Sequence, residues 1–213
     1  TMSFTAREER GKASAPHTMD FDIQTTWDKK AVTHEPVRVQ LAEDQRGCRL
    51  EVHSPFFGSP PAPAAPSGQP CPQLWDYEVV EAFFMNDKHQ YIEVELCPHG
   101  QHIVLMLNGR RNIVQEQLPL EFKAEISGNR WHGSAVVPAS YLPPSVTKFN
   151  AFAIHGEGEN RVYEALYPAT QHHDTPDFHR LEYFGDIDMS RVSPSLVTAT
   201  PSDLWSKYPP PSS

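Results

Sequence analysis

The sequence predicts an all-β protein, built as an antiparallel β-sandwich. Three observations carry that prediction. Apolar and polar residues alternate in many short stretches, as where Ile92, Val94 and Leu96 interleave with Tyr91, Glu93 and Glu95. Turn-forming residues recur between those stretches, among them Asn108-Gly109 and Ser127-Gly128-Asn129. Helical period never persists over more than about a turn. Many short strands with frequent turns are the pattern of two packed sheets.

Taken in order, residues 1–18 are small, polar and charged without period and read as a disordered leader. Phe21 and Ile23 begin a first strand that ends near Trp27. Pro36–Leu41 and Cys48–His53 form a hairpin through the turn residues 42–47. Ser54–Gln73 contains seven prolines, each lacking a ladder donor, so it reads as a long loop rather than a strand. Phe56-Phe57 suggests an anchored loop folded over a site mouth. Two central strands follow, Asp76–Met85 and Tyr91–Cys97, joined by the polar turn 86–89. The acidic face of the second, Glu93 and Glu95, reads as solvated. His102–Leu107 and Arg110–Leu118 pair across Asn108-Gly109. The strand containing Phe122, Ala124 and Ile126 pairs with Trp131–Val137, and Pro138–Leu142 is a short helical turn. Phe149–His155 and Val162–Tyr167 are the last two strands. The domain reading is thus one sandwich over residues 19–190 with the proline-rich loop 54–73, and a tail over 191–213 whose Leu204-Trp205 docks on the body.

Composition narrows the function. The 213 residues suffice for one good core. A formal net charge of −9 and the absence of a basic stripe exclude nucleic acid as a partner. No run approaches the roughly 20 apolar residues that span a bilayer, so no membrane role is expected. Cys48, Cys71 and Cys97 are odd in number, lack zinc spacing and suggest no disulfide framework. With no Asn-x-Ser/Thr acceptor present, a cytoplasmic location is expected.

The runs Trp75–Phe84 and Tyr91–Gly100 resemble the central hairpin of family 9 carbohydrate-binding modules and their DOMON-like relatives. Trp131 to Pro138, Phe149–Phe152, Phe178-His179 and Phe184-Gly185 are similar to further family segments in the same order. Closer still, Met19 to about Trp205 resembles an animal protein family named after an open reading frame on human chromosome four. LWDYEVVEAFF, VELCPHGQH, YEALYP and PDFH are the runs that carry that likeness. The nearer family brings no established activity; the broader one implies a sandwich that binds sugar.

Sugar recognition needs an apolar face for C–H groups and a carboxylate or amide for adjacent hydroxyls. By the resemblance, Trp75 is the aromatic, Glu81 the carboxylate and Asn150 the amide. The sugar-binding members clamp their ligand between two tryptophans, and only Trp75 is well placed here. The expected partner is a small sugar or sugar conjugate held by a non-catalytic module. One alternative is a protein-interaction module that uses the proline-rich loop to hold a protein partner. Another is a sugar-conjugate hydrolase working through Glu81 and Glu93, whose catalytic carboxylates would need to lie roughly 5–9 Å apart. No nucleophile elbow, P-loop or dinucleotide fingerprint is present, so an enzyme is the less favoured class.

No cofactor is expected. Asp76, Glu78, Glu93 and Glu95 offer oxygen ligands for a structural calcium of the kind some such modules carry, without a contiguous calcium loop. His99 with His102, and His172-His173, lack zinc spacing, and His155 and His179 read as structural, so no metal ligand is assigned. Met85 or Met106 with His155 is the weak haem alternative that DOMON-like relatives suggest.

Overall fold

The computed structural model describes residues 17–212; of the expected leader, residues 1–16 lie outside the described residues. The period-two stretches pair as β1 (Thr18–Ile23), β2 (Thr25–Thr26), β3 (Val37–Asp44), β4 (Gly47–Pro55), β5 (Val79–Asn86), β6 (Gln90–Leu96) and β7 (His102–Asn108). They continue as β8 (Ile113–Gln115), β9 (Glu121–Ser127), β10 (Arg130–Pro138), β11 (Val146–His155), β12 (Val162–Ala165) and β13 (Gly185–Asp186). One sheet runs β1-β3-β4-β10-β9. The other runs β2-β12-β11-β5-β6-β7-β8, with β13 added to β11. All the strand pairs are antiparallel, and two such sheets face to face make the all-β sandwich the sequence predicts.

The turn of the β5–β6 hairpin is made by Asn86, whose side-chain carbonyl accepts from the backbone N–H groups of Lys88 and Gln90, each at 3.0 Å. That sets the register in which Met85 faces Tyr91 and Glu81 faces Glu95. Val80, Ala82 and Phe84 then point between the sheets with Ile92, Val94 and Leu96. They meet Val39, Leu41, Leu50, Val52 and Val137 of the smaller sheet. Val79, Phe83 and Met85 point the other way, into a second apolar cluster with Ile103, Leu105, Phe152 and Leu181. The near-continuous apolar run of β5 follows from this, because the strand is covered on both faces.

The outer cover comes from loops. The proline-rich segment is tied down by backbone bonds from Gly68 N–H to Gly100 C=O (2.9 Å) and from Cys71 N–H to His102 C=O (2.8 Å). Gln101 adds a bond to the Ala65 carbonyl at 2.8 Å. Because this segment and residues 166–184 cover the outer face, Glu93 and Glu95 are buried, 4% and 0% exposed, and not solvated as their alternation suggested. Strand period identifies a face; it does not say what lies over it.

Smaller differences have similar causes. The segment expected as a strand over Arg110–Leu118 is strand only at Ile113–Gln115, and Leu74–Asp76 is a 3-10 turn preceding β5. Beyond residue 190, Val192, Leu196 and Trp205 enter the inter-sheet core. The Trp205 indole N–H donates to the Tyr141 carbonyl at 2.7 Å, which satisfies its one polar atom within the core. Cys48, Cys71 and Cys97 are free thiols, all buried. No helix among the described residues is long and apolar enough to cross a membrane.

Candidate functional site

Strand register on the outer face of the larger sheet gathers three acids. Glu81 of β5 stands opposite Glu95 of β6, and Glu93 lies two residues away on the same face. One carboxyl oxygen from each lies within 4.8 Å of the others. All three are buried, and among the described residues neither oxygen of Glu95 nor Oε2 of Glu81 meets a hydrogen-bond donor. Burial first, and then the neighbouring acids, holds the Glu81 and Glu95 carboxyls well above the usual carboxylate range. That direction favours their protonated forms, and the acids can partner one another only through a shared proton.

Above the acids opens a cleft of about 400 Å³, lined at its base by Glu81 and Glu93. On one side stands Trp75, carried by the 3-10 turn before β5. Arg161 fixes this wall. Its guanidinium donates to the Trp75 carbonyl, to the Gly156 carbonyl at 3.2 Å and to Tyr163 Oη at 3.1 Å. Its charge also sits 5.5 Å from the Tyr163 ring centre. The opposite wall is a short network. Arg111 pairs with Asp177, whose carboxylate also accepts from the His179 backbone N–H at 2.8 Å. Tyr91 Oη lies 2.6 Å from His179 Nδ1 and accepts from the Arg111 backbone N–H at 3.1 Å. Burial raises the Asp177 carboxyl, but the Arg111 guanidinium and the His179 backbone N–H together outweigh it and leave the group below its ordinary value. Burial pushes the His179 imidazole down, towards its neutral form. Phe178 completes the rim, stacked on Phe152 with ring centres 3.9 Å apart.

Of the residues the sequence singles out, the structure brings Trp75 and Glu81 to this cleft and places Asn150 elsewhere. Asn150 is on the same face of β11, but its amide is spent. Its oxygen accepts from the backbone N–H groups of Ala151 (2.9 Å) and Tyr167 (3.0 Å), and its nitrogen donates to the Tyr167 carbonyl at 3.1 Å. That staples the chain after β12 onto β11. The four acids expected for calcium do not gather as one set among the described residues. Glu78 instead accepts from the backbone N–H groups of Phe57 (3.2 Å) and Gly58 (2.9 Å), anchoring the proline-rich loop.

Sequence reasoning passed over Arg111, Arg161, Tyr163 and Asp177. They come from a turn, a strand approach, a strand and a loop that are distant along the chain, and no local spacing links them. The pairing of Glu81 with Glu95 was the one readable signal, since it follows once the β5–β6 turn is placed.

The geometry offers an aromatic face, buried acids and arginine donors around a space the size of a small molecule. No family model matches the chain. Over 192 residues, 88% of this chain, it is 53% identical to the UPF0462 protein C4orf33 homolog of Mus musculus, all of whose length is covered. It is 52% identical to the UPF0462 protein C4orf33 of Homo sapiens, with 96% of that protein covered. It is 48% identical to the Danio rerio homolog, with 98% covered. Among solved structures, that of a proposed carbohydrate-binding protein from Bacteroides uniformis matches with a TM-score of 0.55 at 16% identity. The match covers 79% of this chain and 84% of the other, and it shows a shared fold.

Proposed function

The chain belongs to the UPF0462 family, and from that premise we propose that it is a non-catalytic sugar-binding module whose site is the Trp75–Glu81 cleft. The observation that carries this reading is the unpartnered, buried oxygen of Glu81 at the base of a cleft walled by Trp75. A sugar hydroxyl both donates and accepts, and a buried carboxyl that shares a proton can meet either need. Trp75 supplies a flat face for C–H groups, and Tyr163 and Phe178 line the same space in place of a second tryptophan. The fold neighbour, itself proposed to bind carbohydrate, is consistent with this use of the fold.

Arg161 directs three of its five N–H groups at two carbonyls and a phenol and pairs with no acid among the described residues, so its charge and two remaining N–H groups favour a sugar conjugate bearing a phosphate. A second reading, hydrolysis of such a conjugate through Glu81 and Glu93, has less support, because carboxyl oxygens of the two lie within 4.8 Å of each other, short of the roughly 5–9 Å that hydrolysis needs. The test is a thermal-shift panel of free, phosphorylated and nucleotide sugars on the wild type, Trp75→Ala and Glu81→Gln. At least one sugar should raise the wild-type melting point, with the shift lost in both variants. A panel without a hit, or one whose hits survive both substitutions, rules the reading out. Turnover by the wild type that Glu81→Gln abolishes would select the hydrolase.

A further inference from the structure

A second cluster lies apart from the cleft, at the edge where β12 and β2 meet. His155 ends β11, Glu164 lies in β12, and His34 comes from the connection between β2 and β3. Register places Glu164 opposite Ala153 and His155 opposite Val162, so both side chains point towards the inter-sheet side. The two imidazoles converge on a single carboxylate oxygen. Glu164 Oε2 is 2.5 Å from His34 Nε2 and 2.9 Å from His155 Nε2.

Hydrogen-bond accounting makes this arrangement unusual. His34 Nδ1 lies 2.7 Å from the Glu35 carbonyl, which can only accept, so Nδ1 carries a hydrogen. In a neutral imidazole, Nε2 is then the lone-pair nitrogen, and it faces an oxygen that, as a carboxylate, also only accepts. A cation must lie between them: either an extra proton or a metal ion. A second, independent sign is Glu164 Oε1, which is fully buried and has no hydrogen-bond partner among the described residues. The bond from a ring N–H to a backbone carbonyl is also the usual support of a metal-ligating histidine, fixing its tautomer and orientation.

We propose that His34 Nε2, His155 Nε2 and the Glu164 carboxylate bind one divalent transition-metal ion of the zinc class. Two imidazoles and one carboxylate suit zinc, cobalt, nickel or iron and leave at least one coordination position open. Ligand distances of about 2.0–2.2 Å require the three side chains to part slightly around the ion. His34 sits on a connection rather than a strand, and its side chain is 20% exposed, which gives the ion a way in. Phe57 forms the cover, its ring stacked on His155 with centres 3.6 Å apart and edge-on to His34 at 4.9 Å. Glu78 holds that cover through the Phe57 and Gly58 N–H groups, so the proline-rich loop reports directly on the site. Positions 34, 155 and 164 have no motif spacing, which is why the sequence alone assigns no metal ligand.

The test uses the full chain stripped with chelator and titrated with Zn2+ and Co2+ at micromolar protein. One equivalent should bind, raise the melting point, and give a visible Co2+ absorption band. His34→Ala removes a partly exposed side chain on a connection and should preserve the fold while weakening Zn2+ binding about tenfold or more. Glu164→Gln should lose the Co2+ band. The exposed pair His53 and His132 with Glu51 is the competing ligand set, and His53→Ala/His132→Ala should leave the stoichiometry unchanged. No binding by the stripped wild type would mean that a proton alone bridges the cluster and would overturn the proposal. Binding that survives both His34→Ala and Glu164→Gln, or disappears in the His53/His132 variant, overturns it as well.

Discussion

Replacing Glu95 by methionine should stabilise this protein at neutral pH. Glu95 is fully buried, and among the described residues both its carboxyl oxygens lack a donor. An unsatisfied buried polar group costs about 1–3 kcal/mol, and replacing buried ionisable groups by apolar ones of similar volume is often neutral or stabilising by about 1–4 kcal/mol. Methionine is close in volume and flexible enough to fill the same space between Ile103 and the outer cover. The expected gain at pH 8 is thus about 1–3 kcal/mol, or roughly 2–12 °C in melting point for a domain of this size. Its pH dependence has a definite sign. Burial raises the Glu95 carboxyl in the folded state, so below the unfolded value of about 4.3 both states are protonated and the wild type keeps its full stability. As pH rises from there towards the folded value, unfolded chains ionise first and folding weakens. Glu95→Met removes this loss, so the variant's advantage should be small near pH 4 and grow towards pH 8. Urea unfolding across that range measures it. A variant less stable than wild type at pH 8, or an advantage independent of pH, would refute the reasoning and show that Glu95 holds a partner.

Two further substitutions test what holds the fold around the cleft. Trp205→Ala removes a buried indole and its bond to the Tyr141 carbonyl, and should cost about 3–5 kcal/mol by urea unfolding. A loss under about 1 kcal/mol would mean that the segment after residue 190 is not part of the cooperative unit. Asn150→Ala breaks the staple between β11 and Tyr167 and should cost about 1–3 kcal/mol. Any sugar affinity found for the cleft should remain; lost affinity with intact stability would return Asn150 to the ligand.

Fold and site differed in how far they could be read. Period two at Ile92, Val94 and Leu96, with the Asn86 turn before it, sufficed for the central hairpin, because those signals act within a few residues. Trp75 and Glu81 were singled out by the resemblance of the runs Trp75–Phe84 and Tyr91–Gly100 to a known hairpin, not by local period. The same alternation misplaced Glu93 and Glu95 in solvent, since it cannot register loops that fold over the outer face. Asn150 carried the right residue type on the right face, yet its amide was committed to the Tyr167 backbone, a partner 17 residues on.

The sequence by itself determined the all-β class, the order of the main strands, the proline-rich segment and the hairpin that carries Glu81, with Trp75 just before it. These depend on local period, on turn chemistry and on proline's missing N–H, all of which are written in neighbouring residues. Only the tertiary structure decided that Glu81, Glu93 and Glu95 share one buried space and that Arg111 and Arg161 close its walls. It also decided that His34, His155 and Glu164 converge on one oxygen. Each of these depends on sheet order and on the loops that cover an edge or a face. Contacts of that kind are made between residues far apart in the chain, and no local pattern encodes them.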